Sequence, residues 1–571
     1  MNDRSTAMAN RTGADILAAA LKRHGVDVIF GQSIPTALFL AAPDHGIRQL
    51  GYRTENAGAA MADGYARIAH RIGVVAAQNG PAATLLVPGL AEAKQASIPI
   101  LAIVQDVDRR ARDRNAFQEL DQFALFGGVT KWLKRVETAD RIDDYVDMAI
   151  AAATSGRPGP AVLLCPYDML SEAASTTMQR QVSLGRYPLD RPSADPVRIA
   201  EAAELLANAS APLIHAGGGV HASDACAELA ELQERFHLPV ATTSMGKGTV
   251  DEGHPLSLGV IGYFMGSRGL ARHQRPLVDE ADVVLLVGNR TNQNGTDSWK
   301  LLPPRARFIH IDIDGQEIGR NYEALRLVGD AKATLRALID ALAVRDTSKR
   351  KRARPTLEAR IGAGKDAHRA ETQAIRASDK RPIRPERLMA EVDRLLTPET
   401  IVVADASYAS IWALNYLGAR KAGTRFLTPR GLAGLGWGLP MALGARLAKP
   451  DAPIFCLVGD GGFAHVWSEL ETARRGKLPL VLAVLNNELL GYQRDAEDIL
   501  FGRHSDAVHL GSVDHAKIAE ACGCRGYRVE RPDEIAGRLA EAFAHKGVTL
   551  LDVMVDPAAR PPITSFEGHL E

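Results

Sequence analysis

The stretch Cys456-Leu-Val-Gly-Asp-Gly-Gly-Phe-Ala-His465, running on to Leu480-Val-Leu-Ala-Val-Leu-Asn-Asn-Glu-Leu-Leu-Gly491, decides how the rest of the chain is read. Its unbroken apolar run Ile454 to Val458 predicts a strand buried on both faces, and Gly459-Asp460-Gly461-Gly462 predicts a turn. Trp467 to Arg475 has helical spacing, and Leu480 to Leu485 predicts a second strand, which together make one βαβ unit. Such a unit sets the glycine turn at the carboxyl end of its first strand, where backbone N–H groups can face a phosphate. Asp460 and Asn487, each at a strand end, offer hard oxygen donors. With the Leu489 carbonyl and two diphosphate oxygens they suit Mg²⁺, which takes few protein ligands and several oxygens of phosphate or water. The plain alternative is a glycine turn capping a helix and an Asn-Asn turn; the pairing of the two motifs across one crossover favours the metal.

Outward from this stretch, the 571 residues have room for three or four domains, and short apolar runs between 51 Gly and 30 Pro predict alternating strands and helices. Lys plus Arg equals Asp plus Glu at 68 each, so the charge balance makes no case for nucleic acid or an anionic membrane. Cysteines number five, too few and too scattered for a disulfide framework, and Cys522-Gly-Cys524 has no second ligand pair for a metal nearby. Residues 1–12 are polar and no run of eighteen apolar residues occurs, so the expectation is a soluble cytoplasmic protein without a membrane partner.

Gly459-Asp460-Gly461 with Asn486-Asn487 resembles the metal and diphosphate signature of thiamine diphosphate enzymes. Within that superfamily the chain resembles the acetolactate synthase large subunit group over nearly its whole length. The resemblance implies an α/β fold of three doubly wound parallel sheets. The expected boundaries are an amino-terminal pyrimidine-binding domain over 1–185, a central Rossmann-like domain over 194–343, a linker and surface helix over 344–384, and a diphosphate and Mg²⁺ domain over 385–571.

In the first domain, a helix over Gly13 to His24, strands at Val26 to Phe30 and Val74 to Ala77, and buried strands at Ile98 to Val104 and Ala161 to Cys165 are expected. Arg53-Thr-Glu55-Asn-Ala-Gly-Ala-Ala-Met-Ala-Asp-Gly-Tyr-Ala-Arg67 resembles the segment carrying the cofactor-activating glutamate. By itself, Glu55 reads as a carboxylate answering a helix dipole. The resemblance gives it a catalytic task, hydrogen bonding to the aminopyrimidine so that the cofactor's reactive carbon can lose its proton, and a carboxyl among apolar walls should hold a raised pKa. Gln78-Asn79-Gly80-Pro81-Ala82-Ala83-Thr84 resembles a Ser-Gly-Pro-Gly-Ala-Thr segment beside the pyrimidine, which marks Asn79 and Pro81 as cofactor-binding. Phe117 and Gln118 match residues bordering the reactive carbon, Ser33 in the turn Gln32-Ser33-Ile34-Pro35 is placed with the catalytic group, and Lys131 matches a lysine near the substrate entrance.

Gly185 to Ser193 is a plausible linker. In the central domain, strands are expected at Pro212 to Ala216, Val240 to Thr243, Val283 to Val287 and Phe308 to Ile313. His215-Ala-Gly-Gly-Gly219 looks like a nucleotide-binding turn, and Asp312 could hold a ribose or cap a helix; family members place FAD, an ADP or CoA portion, or nothing here, and a tightly held flavin is not favoured. Lys349-Arg-Lys-Arg352 lacks interleaved aromatics and reads as a solvated helix.

In the third domain, strands are expected at Thr400 to Ala404 and Thr549 to Val555. Leu432-Ala-Gly-Leu-Gly-Trp-Gly-Leu-Pro-Met441 resembles the segment whose bulky residue, here Leu435 after Gly434, bends the cofactor. Ser407 and Tyr408, Gly459 to Gly462, Asn487, and Leu489 to Tyr492 complete the expected cofactor shell, and Arg560 to Glu571 is a candidate lid. Arg290 matches the arginine that selects the second 2-oxoacid. Elsewhere the chain departs from the group: Ala496 stands at the tryptophan position, Phe264 at a histidine, and Tyr408-Ala409-Ser410 where Gln-His-Gln contacts the diphosphate. These changes leave the acceptor open. The expected activity is decarboxylation of a 2-oxoacid followed by carboligation in a homodimer or homotetramer, with thiamine diphosphate and Mg²⁺ as cofactors. The alternatives are a lyase of the 2-hydroxyacyl-CoA, oxalyl-CoA or benzaldehyde type, and a non-catalytic nucleotide-binding homologue.

Overall fold

The computed structural model describes residues 11–174 and 180–568. The polar segment read for targeting lies outside these up to residue 10, as do the last residues of the candidate lid, 569–571. The chain forms two compact units, one of residues up to Leu189 with 443–450 and 471–476, the other of Asp190–Ala442, Asp451–Leu470 and the residues from Lys477 on.

The first unit holds a sheet of six strands: β1 (Val28–Phe30), β2 (Arg48–Leu50), β3 (Gly73–Ala77), β4 (Ile100–Asp106), β5 (Trp132–Arg135) and β6 (Ala161–Pro166). They lie in the order β2-β1-β3-β4-β6-β5, all parallel. Helix Gly13–Arg23 starts as expected from Thr12, whose hydroxyl accepts the Asp15 amide at 3.2 Å. Its buried face of Ile16, Leu17 and Leu21 joins one core with Ile29, Val74, Leu101 and Leu163.

The second unit carries two further parallel six-stranded sheets. The central one comprises β7 (Pro212–Ala216), β8 (Val240–Thr242), β9 (Ser257–Val260), β10 (Val283–Val287), β11 (Arg307–Asp312) and β12 (Ala324–Val328), in the order β9-β8-β7-β10-β11-β12. The third comprises β13 (Ile401–Ala404), β14 (Phe426–Leu427), β15 (Ile454–Gly459), β16 (Leu480–Asn486), β17 (Arg525–Val529) and β18 (Val548–Met554), in the order β14-β13-β15-β16-β18-β17. The apolar runs expected as buried strands are strands. The structure adds β2, β5, β9, β12, β14 and β17; four of these, β2, β5, β12 and β17, are part-exposed edges without a long apolar run.

One expectation is corrected. Gly459-Asp460-Gly461-Gly462 is not a free turn, because Gly459 is extended and Asp460 already opens a short helix, Asp460–Ala464. The surface helix expected after residue 343 is one of 29 residues, Ser348–Arg376, with Lys349, Lys351 and Arg352 exposed. It packs back on its own unit: Ile361 is fully buried, Arg354 pairs with Glu234 at 2.7 Å, and Arg360 pairs with Glu280 at 2.8 Å. Tyr263 and Phe264, which follow β9, share one apolar cluster with Tyr408, Trp412, Phe455 and Phe566. At roughly 1.5–3 kcal/mol per fully buried large side chain, this cluster is what fastens the central loop to the third sheet.

Candidate functional site

In the first unit Ser33, Glu55, Asn79, Pro81, Phe117 and Gln118 all follow carboxyl ends of adjacent strands, the edge where parallel sheets place ligands. Ser33 follows β1 and is exposed. Glu55 follows β2 and opens helix Glu55–Ala69, 7 % exposed, with its carboxyl held above the usual value by burial and pulled back only by its own backbone N–H. The small residues of this helix have a local reason: a Cβ on Gly58 would fall 2.2 Å from the Tyr52 ring, whose hydroxyl donates to the Ala76 carbonyl at 2.8 Å. After β3, Asn79 donates through Nδ2 to the Gln118 carbonyl at 3.0 Å, and Gln78 Nε2 donates to Gln118 Oε1 at 2.8 Å. Gln118 has φ +61°, so Asn79 holds an otherwise disfavoured backbone in place. Phe117 beside it is 84 % exposed, and Pro81 begins the next helix, Pro81–Ala96. Lys131 stands apart from this group, its Nζ donating to the Ser155 carbonyl at 2.7 Å and its stem lying against Gly159.

In the second unit a cavity of about 480 Å³ opens at the carboxyl ends of β13, β14, β15, β16 and β18. Of the expected cofactor shell, Ser407, Tyr408, Leu435, Gly459 to Gly462, Asn487 and Leu489 to Tyr492 line it. Gly434 and Arg290 are not among its lining residues; a Cβ on Gly434 would meet the Trp437 ring at 2.9 Å, which accounts for that glycine by packing.

Asp460 is 5 % exposed, and burial lifts its carboxyl to about 6. Amides of Gly461, Asn487 and Glu488 donate to it at 2.8, 3.1 and 2.7 Å, which draws the β15 and β16 ends together. Asn487 Oδ1 accepts the Leu489 amide at 3.2 Å. The donors gathered here are one carboxylate, one side-chain amide and backbone oxygens. Among the described residues no group of three or more His, Cys, Asp or Glu could hold a metal. This donor set fits a hard cation completed by phosphate oxygens and does not fit a self-sufficient protein cage.

A second buried acid was not foreseen. Asp405, at the end of β13, accepts the amides of Gly436, Trp437 and Gly438 at 2.9, 3.0 and 3.2 Å, and a Cβ on Gly462 would sit 2.3 Å from its Oδ2. It therefore fixes the Leu435 turn against the Asp460 turn. Ser407 has φ +62°, a strained conformation at the head of helix Tyr408–Tyr416. The Tyr408 hydroxyl donates to Asp495, so it is the ring rather than the phenol that serves the cavity wall. Sequence reasoning also missed Arg430, Tyr263 and Asn294, which line the cavity from separate loops. The candidate lid is docked: Phe566 is 2 % exposed against Tyr408 and Tyr492, and Thr564 donates through Oγ1 to Asp297 at 2.6 Å.

Residues 11–125 match the thiamine pyrophosphate enzyme amino-terminal TPP-binding domain, 199–338 its central domain, and 405–553 its carboxyl-terminal TPP-binding domain. The chain is 34 % identical to a probable acetolactate synthase large subunit of Methanocaldococcus jannaschii, across 98 % of this chain and 94 % of that protein. The chain belongs to the thiamine pyrophosphate enzymes. Other members similar to it are the acetolactate synthase of Arthrospira platensis, at 33 % identity over 97 % of this chain and 96 % of the relative, and the acetolactate synthase isozyme 2 large subunit of Escherichia coli, at 31 % over 95 % of each. The third sheet, where the Asp460 cavity lies, spans the TPP-binding match at the carboxyl-terminal side of this thiamine pyrophosphate enzyme. No helix among the described residues is long and apolar enough to cross a membrane.

Proposed function

We propose that the chain is a Mg²⁺-dependent thiamine diphosphate enzyme of acetolactate synthase type, which releases CO₂ from one 2-oxoacid and joins the remaining acyl carbon to the carbonyl of a second. The observation that carries this is the buried Asp460 carboxylate beside Asn487 on a cavity edge, in a chain alike end to end to acetolactate synthases. Thiamine diphosphate, when bound, supplies a nucleophilic carbon and a sink for the electron pair left when the bond to CO₂ breaks. Asp460, Asn487 and the Leu489 carbonyl would hold Mg²⁺ against the diphosphate. The Gly459 edge of the turn has no heavy atom within 4 Å of a Cβ position, which leaves it open to phosphate. Leu435 would set the bend of the cofactor, held there by Asp405. Glu55 would keep a proton on the pyrimidine ring, and the raised pKa of its carboxyl suits it to share one.

The resemblance pairs Glu55 of one chain with the Asp460 turn of another, so a homodimer is the smallest active unit on this reading, and a homotetramer two of them. The protein supplied with thiamine diphosphate, Mg²⁺ and pyruvate should release CO₂ and form acetolactate. Cleavage of oxalyl-CoA or benzoin with no product from any 2-oxoacid would overturn the proposal in favour of a lyase.

A further inference from the structure

The first unit holds a cavity of about 400 Å³ at the edge of its sheet opposite to Glu55. Val28 opens β1, Arg48 opens β2 and Arg71 stands two residues before β3, so this space lies at the amino ends of the strands. Helix Glu55–Ala69 joins the two edges: its Tyr65 and Ala69 line the cavity, and at 1.5 Å per residue Ala69 is about 20 Å from Glu55. None of the residues expected to hold cofactor or substrate lines it.

Three arginines, Arg48, Arg71 and Arg186, line the space against one acid, Asp27. That acid is already shared, since its Oδ1 accepts Lys22 Nζ at 2.9 Å and its Oδ2 accepts Arg71 Nη1 at 3.0 Å. Arg48 donates through Nη2 only to a neutral group, the Gly476 carbonyl, at 2.7 Å. The helix end at Ala69 contributes a partial negative charge of about half a unit, too little to offset the surplus.

Backbone pairing sets two of the arginines side by side. Arg71 and Arg186 are opposite each other in an isolated antiparallel bridge, between the Ile72 amide donating to the Gly185 carbonyl at 2.7 Å and the Tyr187 amide donating to the His70 carbonyl at 3.3 Å. In this narrow type of pair the Cα atoms are about 4.5 Å apart and both side chains leave from one face, where like charges are destabilising. Nor is the Arg186 segment free to slide away: a Cβ on Gly185 would fall 2.0 Å from the His24 carbonyl, and the Tyr187 hydroxyl donates to the Ala66 carbonyl at 2.9 Å. Tyr65 is 7 % exposed, and burial, then Asp27, keeps the proton on its hydroxyl, which makes it a further donor at the cavity wall.

We propose that this cavity binds a soluble organic phosphate, its phosphate group gripped by Arg48, Arg71 and Arg186. A dianion with three terminal oxygens answers three guanidiniums better than a carboxylate does, and it converts the repulsive pair into a clamp. Val28, Leu447 and the Tyr65 ring supply an apolar wall for the carbon part of the ligand, in a space of ordinary ligand size. The site is separate from the thiamine diphosphate edge and does not depend on which reaction runs there.

The test is titration calorimetry on the full chain saturated with thiamine diphosphate and Mg²⁺, using AMP, adenosine and inorganic phosphate as probes. AMP should bind at least about tenfold more tightly than inorganic phosphate, and adenosine at least about tenfold more weakly than AMP. Arg186→Gln and Arg48→Gln should each weaken AMP by roughly 10- to 100-fold with thiamine diphosphate affinity within about threefold, and Arg186→Lys should recover part of the loss. A role in the fold alone is read by melting without AMP: Arg186→Glu, which pairs with Arg71, should raise the melting temperature by about 1 °C. AMP binding that survives both glutamine variants, that thiamine diphosphate displaces, or that adenosine equals would overturn the proposal. So would a melting temperature several degrees lower in AMP-free Arg186→Gln, which would make the guanidinium a structural strut. Inorganic phosphate bound as tightly as AMP would overturn the organic part of the ligand.

Discussion

Two glycine turns in the second unit look alike as strings and differ as structures. After β7, Gly217-Gly218-Gly219 is closed by packing: a Cβ on Gly217 would fall 2.2 Å from the Gly288 carbonyl, and one on Gly219 would fall 2.6 Å from the Gly288 Cα. The Gly217 amide donates to Val287 at 2.8 Å and the Gly219 amide to Gly288 at 3.0 Å, so these donors are spent within the fold. His215 just before them is fully buried, and burial pushes its imidazole down to about 3, which makes it neutral core. After β15, Gly461 and Gly462 are closed in a comparable way by Leu490 and Asp405, but Gly459 is open and an acid stands between them. What separates the turns is a buried carboxyl at the lip of a cavity. Glycine density alone reports close packing.

The comparison breaks or sharpens under substitution. Asp460→Ala should remove Mg²⁺-dependent binding of thiamine diphosphate, a loss of about 100-fold or more by titration calorimetry, since it takes away the one carboxylate among the expected cation ligands Asp460, Asn487 and Leu489. Unchanged affinity would reduce the second turn to the status of the first. Glu55→Gln, on a different sheet, should cost roughly 100-fold or more in turnover with cofactor affinity within about threefold; full activity would strike Glu55 from the chemistry. Gly217→Ala should destabilise the fold by about 1–3 kcal/mol in denaturant titration and leave cofactor affinity of the folded protein unchanged. A selective loss of nucleotide or flavin binding there would show that the first turn also serves a ligand.

Acidity gives a smaller effect. The Asp460 carboxyl, lifted to about 6 when no cation is bound, must be ionised to take Mg²⁺, so the affinity should drop roughly tenfold for each pH unit below about 6. The sign reverses for the cation-free fold: what this group contributes to stability is present below its ordinary 3.8 and is lost as pH climbs through about 6. A pH-independent Mg²⁺ affinity between pH 5 and 7 would contradict both. Least of all, Gly459→Ala, with no neighbour to strike, should change stability by no more than about 0.5 kcal/mol and weaken cofactor binding by several-fold at most.

The central strands of each sheet were legible because continuous apolar runs such as Phe455 to Val458 and Leu480 to Leu485 are buried on both faces. Edge strands β2, β5, β12 and β17 were not, since their mixture of exposed and buried positions carries no clean period. β14 is two residues long and shows itself only through its pairing with β13. Asp460 and Asn487 could be picked out from local motif and spacing. Arg430, Tyr263 and Asn294 could not, because each lies in an unremarkable loop and they meet only when two sheets share a core. The Asp405 clamp was hidden for a related reason: its partners are backbone amides, which leave no trace in residue type.

The cavity's walls come from segments as remote in sequence as Tyr263 and Ala559. A pocket gathered over such separations exists only when that whole unit has folded. Ligand-induced protection against heat would then gauge the integrity of the entire unit, and a saturating ligand at a hundred times its Kd should add about 2.7 kcal/mol to the unfolding free energy. Damage far from the pocket, on the 29-residue helix Ser348–Arg376 for instance, should therefore show first as a smaller thermal response to cofactor.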